Sequence, residues 1–284
     1  MEIREIAVTG VTDAEVGWKE TLVMPVGDVQ LGSGATATDR FLRHIEWGVK
    51  HGAYFLGMGD YVDVASPSNR TALRSVSLYD SVRSALEERA QQEVDSFRGL
   101  VEGSEGRWLG LLEGHHYFPF ADGTTSDTRI AQALGAPFLG SCAFVRLRMS
   151  KGAHLTCTIW AHHGAGSGAS SGAPLLKLEN MVKYFDADVY LMAHMHKKVS
   201  TALDYVYMTR GRRPQRLAHR TRVLAGTGGF LEGYSQGSKS LAGKPEGSYV
   251  EKAMMGPVAL GGPLIKIRPV KEGGTWRLDL GVEL

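Results

Sequence analysis

Thr21-Leu22-Val23-Met24-Pro25-Val26-Gly27-Asp28-Val29-Gln30 sets the reading: six apolar or β-branched residues that run into Gly-Asp. A run of that length closed by glycine predicts a strand buried on both faces. The same figure returns at Ala53 to Met58 before Gly59-Asp60-Tyr61-Val62-Asp63, at Trp108 to Leu112 before Gly114-His115-His116, and at Asp188 to Ala193 before His194-Met195-His196. Helical patterns lie between the runs. From Thr38 to Val49 the residues Phe41, Leu42, Ile45 and Val49 recur at helical spacing behind a Thr38 cap, and one further helix is expected over much of Asn69 to Leu100. Strands alternating with helices predict a layered α/β fold. A hairpin from Ala143 to Trp160, turning at Ser150-Lys151-Gly152, leads into His162-His163-Gly164, and beyond Lys197 the pattern becomes strands and Gly-rich loops. No repeat or long linker divides the chain, so residues 1–284 are expected to form a single domain.

Lys and Arg number 32 against 30 Asp and Glu, a formal charge of +2 over 284 residues. That balance excludes a histone-like or tail-like polyelectrolyte. Glycine is frequent, 36 residues against 10 prolines, which suits many tight loops on an ordered scaffold. The N-terminus carries acids where a secretory signal needs basic residues, and no stretch approaches about 18 uninterrupted apolar residues. A soluble, cytoplasmic protein without a membrane partner is expected. Cys142 and Cys157 fall in predicted strands and read as buried reduced thiols, too few for a cysteine zinc module.

Five clusters stand at or just after the C-terminal ends of apolar runs, where layered α/β folds place ligands. Each supplies oxygen or imidazole donors of the kind metals take. Asp28 and Gln30 are two apart, as are His194 and His196, and in extended chain each pair projects from one face. No nucleophile elbow, P-loop or dinucleotide fingerprint competes with them. His44 and His51 read as solvated or capping residues on a helix, His154 and His219 as strand positions, and His162 as a support for His163 or an alternative ligand. The run Gly164 to Gly172 reads as a flexible surface loop. A basic hairpin at about 201–224 carries six arginines between Arg210 and Arg222 and no acid within those 13 residues. Arg212 and Arg213 near its tip are candidate contacts to a phosphate-bearing substrate, weighed evenly against a solvated loop. Arg70 and Arg74 pose the same question with less force.

In order and chemistry the clusters resemble the calcineurin-like metallophosphoesterase family, whose pattern is Asp-x-His, Gly-Asp-x-x-Asp, Gly-Asn-His, a His before Gly, and Gly-His-x-His. Gly135 to Gly140 and Gly226 to Tyr234 are loosely similar to phage-type members, and a subtype akin to the DNA-repair nucleases is the first choice. The resemblance implies an α/β four-layer sandwich of two mixed β-sheets flanked by helices, with two divalent cations at the sheet ends. Metal one would take Asp28, Asp60 and His196 with Gln30, and metal two Asp60, His115, His163 and His194, Asp60 bridging them. Gln30 stands in the family's His slot and should weaken site one; His115 stands in the Asn slot and gives site two three imidazoles. Mn²⁺ is the first choice of metal, with Zn²⁺, Fe and Ni²⁺ as alternatives. His116 would be the general acid, oriented by Asp63 because Tyr117 replaces the family's carboxylate. The implied activity is hydrolysis of a phosphate ester, first as a phosphodiesterase or nuclease acting on DNA or a nucleotide chain, second as a phosphomonoesterase or nucleotide phosphatase. A catalytically weak metal-binding scaffold is the reading from another class, and retention of His116 speaks against it.

Overall fold

Every apolar run named above becomes a strand, and the ends of those strands fix the site. The computed structural model describes residues 10–75, 79–166, 168, 170–209, 215–239, 242–252 and 254–284. In chain order the elements are β1 (Val11–Val16), β2 (Thr21–Val26), α1 (Thr38–Lys50), β3 (Tyr54–Gly57), α2 (Pro67–Ser75), α3 (Asp80–Leu100), β4 (Trp108–Leu112), α4 (Ser126–Ala133), β5 (Phe138–Gly140), β6 (Cys142–Ser150) and β7 (His154–His162). They continue with α5 (Ala173–Met181), β8 (Val189–Met192), β9 (Lys198–Met208), β10 (Leu217–Thr227), α6 (Tyr249–Lys252), β11 (Leu264–Glu272) and β12 (Thr275–Glu283).

The strands form two mixed sheets. One has the order β1-β6-β7-β8-β10-β9, the other β12-β11-β2-β3-β4-β5. Val23, Leu56, Met58 and Leu112 of the second sheet pack on Val145, Ile159, Val189 and Leu191 of the first, all fully buried, so the inner layer is sheet on sheet. On the outer face of the second sheet Phe41 and Ile45 of α1, Phe97 of α3 and Ile130 of α4 cover Met24, Phe55 and Leu111. Leu178 of α5 covers Trp160, Tyr190 and Leu224 of the first. The result is the expected four-layer α/β sandwich, two mixed sheets flanked by helices.

Local chemistry explains the close layers. Gly48 sits on the buried face of α1, and a Cβ there would come within 2.7 Å of Met24 Sδ and the Phe55 ring, so only glycine lets this helix lie so near its sheet. Thr125 caps α4 by accepting the Thr128 N–H at 3.2 Å while the Thr128 hydroxyl accepts the Thr125 N–H at 2.8 Å. Cys157 is buried and Cys142 half-buried, both free.

Two expectations are corrected. The single helix across Asn69 to Leu100 is two helices: α2 opens on Pro67 and is anchored by Arg70 to the His115–Tyr117 loop, whereas α3 packs its own face of Ala90, Val94 and Phe97 on the core. His44 is not solvated. It lies edge-on to Phe230 with ring centroids 5.4 Å apart, and burial, aided by nearby Lys198, pushes its pKa down to about 4. His51 does act at the helix end, stacked on Trp47 with Nδ1 2.7 Å from the Trp47 carbonyl. No helix among the described residues is long and apolar enough to cross a membrane.

Candidate metal centre

Strands β2, β3 and β4 run parallel, as do β7 and β8, so their C-terminal ends lie side by side and the next residues of each converge. Past the last ladder pair, the Asp28 and Gln30 amides donate to the Gly59 and Asp60 carbonyls, each at 3.0 Å, which carries the pairing of the two chains into the site. The expected extended projection of Asp28 with Gln30, and of His194 with His196, is not what the backbone does. Asp28, Gln30, Asp60, His194 and His196 all have φ between +50° and +66°. Left-handed backbone costs an L-residue about 1 kcal/mol or more, and here it turns side chains of successive loops toward one point.

Two groups of donors result: Asp28, Asp60 and His163, and His115, His163 and His194, each with its ligand atoms within 4.8 Å of one another. His163 belongs to both. Its Nδ1 donates to the Met58 carbonyl at 2.7 Å, which leaves Nε2 facing Asp60 Oδ2 at 3.4 Å. Asp60 falls in the first group, and its Oδ1 accepts the His116 N–H at 2.9 Å and the His115 N–H. Asp28 Oδ2 accepts the His194 N–H at 2.8 Å, while Oδ1 lies 3.6 Å from His196 Nε2. Gln30 and His196 meet at 3.3 Å through their Nε2 atoms, beside the first group. His115 and His194 bring their Nδ1 atoms to 3.2 Å.

The donors fit divalent cations on two counts. Asp28 Oδ1 and His163 Nε2 are buried without a hydrogen-bond partner, an arrangement that costs energy unless something else coordinates them. The mixture of carboxylate and imidazole is also the set that Mn²⁺ and Zn²⁺ accept. Burial pushes the Asp28 carboxyl up, partly offset by His196 and His163. Burial works against a charged His163, yet its contact with Asp60, together with Asp28 and the Met58 carbonyl, raises its pKa to about 9. Asp60 is held below the usual carboxylate range despite its burial, by His163 and His116. His194 is pushed down to about 4 by burial and by His163 and His115, so its imidazole is neutral near pH 7 and has a lone pair to offer.

At the rim, His116 Nδ1 meets Asp63 Oδ1 at 2.8 Å. Burial disfavours its charge, but this bond and the Asp60 carboxylate outweigh it and the net shift is upward. Gly114 permits the loop: a Cβ there would stand 2.1 Å from the Asp60 amide nitrogen. Sequence reasoning missed Asp127. Buried in the first turn of α4, it accepts the Gly114 N–H at 2.8 Å, and Ser126 Oγ accepts the Phe118 N–H at 3.1 Å, so one helix start frames both ends of the loop bearing His115 and His116. Burial, offset by the Gly114 bond, raises the Asp127 pKa to about 7. The helix-start signature Thr125-Ser126-Asp127-Thr128 was the available signal.

The arginines are placed otherwise than expected. Arg70 Nη1 donates to the carbonyls of Ala65 and His115, both at 2.6 Å, and Tyr117 at 3.1 Å, while its guanidinium stacks on the Tyr117 ring; it braces the loop from behind. Arg220 pairs with Asp188 and Asp186, and Arg222 with Asp186, acids that come from the turn before β8 rather than from the hairpin itself. Arg212 and Arg213 lie outside the described residues, as does the side chain of Arg74. His162 Nδ1 accepts the Gly164 N–H at 2.7 Å, a contact that supports the His163 turn. The Gly164 to Gly172 run is tethered at its described residues, Lys177 donating to the Ala165 carbonyl and Lys197 to those of Gly168 and Ser170.

Fold and site together define a layered α/β protein with clustered histidines and carboxylates, a candidate metal centre, at its strand ends. No family profile matches the chain, and no curated protein sequence does. Among solved structures it is similar to vacuolar protein sorting 29 from Cryptosporidium parvum, at 14% identity over 93% of this chain and 98% of that one, with a TM-score of 0.37. A single mutant of Vps29 from Entamoeba histolytica is similar at 13% identity, over 93% of this chain and 100% of that one, with a TM-score of 0.35. Likeness at this level assigns no function to the chain.

Proposed function

We propose that the chain is a binuclear metal-dependent phosphoesterase of the calcineurin-like class, acting on phosphodiesters. The observation that carries this is the pairing of two donor groups through His163 with an oriented imidazole, His116, at their rim. Asp28 and Asp60, with His196 and Gln30 beside them, would hold one cation; Asp60, His115, His163 and His194 the other, since His163, its Nδ1 committed to the Met58 carbonyl, has a single nitrogen left to offer. Mn²⁺ is the first choice. Two bound cations would supply an activated water and neutralise phosphate charge. The chain's own work is done by His116, which delivers a proton from Nε2 to the departing oxygen, and by Asp63, which accepts the Nδ1–H and so favours the imidazolium form that has that proton to give. Asp60, by accepting the His115 and His116 amides, keeps the acid and the ligands in register.

A diester is preferred over a monoester because Arg70, behind the His115–His116 loop, and Lys197, next to His196, donate to loop carbonyls. Phosphate charge must then be met at the metals, and a diester brings one negative charge where a monoester brings up to two. The test is metal-loaded protein assayed with bis(4-nitrophenyl) phosphate and with 4-nitrophenyl phosphate, followed by single- and double-stranded DNA. Faster diester turnover, lost in chelator and restored by Mn²⁺, is expected. Protein shown by elemental analysis to carry two metals that turns over neither ester would overturn the reading.

A further inference from the structure

We propose that the groove beside the start of α1, lined by Arg40, Arg43 and Lys198, binds a second phosphate of the substrate, one that is not cleaved. The inference rests on the phosphoesterase reading and adds to it the class of substrate, a phosphate-bearing chain such as a nucleoside polyphosphate or an oligonucleotide. Two adjoining cavities of about 420 and 290 Å³ make up the groove, sharing Arg40, Glu232 and Leu260 in their walls.

Three observations converge. Arg40 and Arg43 are three apart on α1 and so share a face, and Lys198 enters the same groove from the start of β9. Among the described residues none of the three has a carboxylate partner, whereas Arg220 and Arg222 of the basic hairpin are both paired. Cations left free in a groove can meet an incoming anion without first losing a partner. The second observation is the helix start itself: Ala37 stands at the cap of α1, no side chain caps the first turn, and Thr36 to Asp39 line the larger cavity.

The third is place. The Thr36 hydroxyl donates to the Gln30 carbonyl at 2.5 Å, the Phe230 N–H to the Asp28 carbonyl at 2.9 Å, and the Glu232 N–H to the Ala35 carbonyl at 2.7 Å. Lys198 follows His196 by two residues. The groove walls are therefore continuous with the backbone of Asp28, Gln30 and His196, at the edge of the first donor group. Glu232 and Asp39 also line it, which leaves a modest positive excess and suits an anion that carries donors such as sugar hydroxyls.

The experiment is direct binding to full-length, metal-loaded protein, read by fluorescence anisotropy with a labelled ten-nucleotide phosphorothioate oligothymidylate, and by competition with a nucleoside triphosphate, over a series of salt concentrations. Arg40→Ser/Arg43→Ser should weaken oligonucleotide binding about tenfold and flatten the dependence of log Kd on log salt by about 1.4, two cations at about 0.7 each for a single strand. Arg40→Lys/Arg43→Lys should retain most of the slope, which separates charge from folding, and Arg216→Ser on the hairpin should change little. If only the triphosphate loses affinity in the Ser variant, the second phosphate belongs to a nucleotide. Equal affinity and slope in wild type and the Ser variant for both ligands, or loss confined to Arg216→Ser, overturns the proposal. Binding is read without turnover, so a protein that binds through this groove but hydrolyses no ester would fail the catalytic reading alone.

Discussion

His116 and Asp63 are joined by a 2.8 Å hydrogen bond between Nδ1 and Oδ1, and both side chains are partly open to solvent. Asp63 follows the turn after β3 and His116 the turn after β4; the parallel pairing of those strands brings them together, and Arg70 braces the loop that bears His116. His116→Ala should therefore leave metal content intact and lower turnover of alkyl phosphate esters by about 10²-fold or more, with little loss for nitrophenyl esters, whose leaving group needs no proton. Asp63→Asn should give a weaker copy of the same pattern. Parallel kinetics on the two ester types decide the matter; equal losses on both, or loss of metal, would remove His116 from the acid's role.

His163 is common to both donor groups, and His194 to one. His163→Ala and His194→Ala are each expected to lower metal content by one of the two cations when measured by elemental analysis after dialysis. Full occupancy in His163→Ala would sink the assignment of His163.

Gln30 places a neutral amide beside His196, 3.3 Å away. Imidazole donates better than an amide to borderline cations, so calorimetric titration with Mn²⁺ should give two unequal steps, the weaker one tightening in Gln30→His. Two equal, tight steps in the unmodified protein would show that Gln30 imposes no penalty.

Gly114 and Gly99 should respond oppositely to alanine. At Gly114 the new Cβ would meet the Asp60 amide nitrogen at 2.1 Å and Oδ1 at 2.2 Å, so several kcal/mol of destabilisation and loss of metal are expected. Gly99 lies exposed in α3 with nothing within 4 Å of a Cβ, and Gly99→Ala should stabilise by about 0.5–1 kcal/mol. Denaturant melts of both variants give the comparison.

His44 confers a pH dependence on stability. Its folded pKa is about 4 against 6.5 in the unfolded chain, so the unfolded state takes up a proton first. Its contribution is fully present above pH 6.5 and is lost as pH falls toward 4, by up to about 3 kcal/mol. His44→Leu should flatten the stability profile between those limits, as read by urea melts at several pH values.

Much of the layered fold could be read locally, because strands such as Thr21–Val26 are buried on both faces and carry uninterrupted apolar side chains. Strand β1 escaped: its burial alternates and its sequence, Val11-Thr12-Asp13-Ala14-Glu15-Val16, is half polar. The five clusters were legible for the same reason as the strands they end. What stayed hidden depends on distant partners. Arg220 and Arg222 look like free charge until Asp186 and Asp188 arrive from the neighbouring strand, His44 looks solvated until Phe230 covers it, and the left-handed turns at the ligands leave no mark in residue type outside glycine.

Strand β2, which delivers Asp28, is flanked on one side by β3 and on the other by β11, residues 264–272. During synthesis the ribosome would release the strand bearing the first ligand more than two hundred residues before the strand that closes its open edge. Until then the nascent chain would hold an unpaired hydrogen-bonding edge beside the candidate site, whose residues, Asp28 to His196, have all been made by that point. Completion of the sheet that carries Asp28 and Asp60 is thereby placed late in biogenesis, and shortening the β11–β12 hairpin should impair folding in the cell without touching any residue of the candidate site.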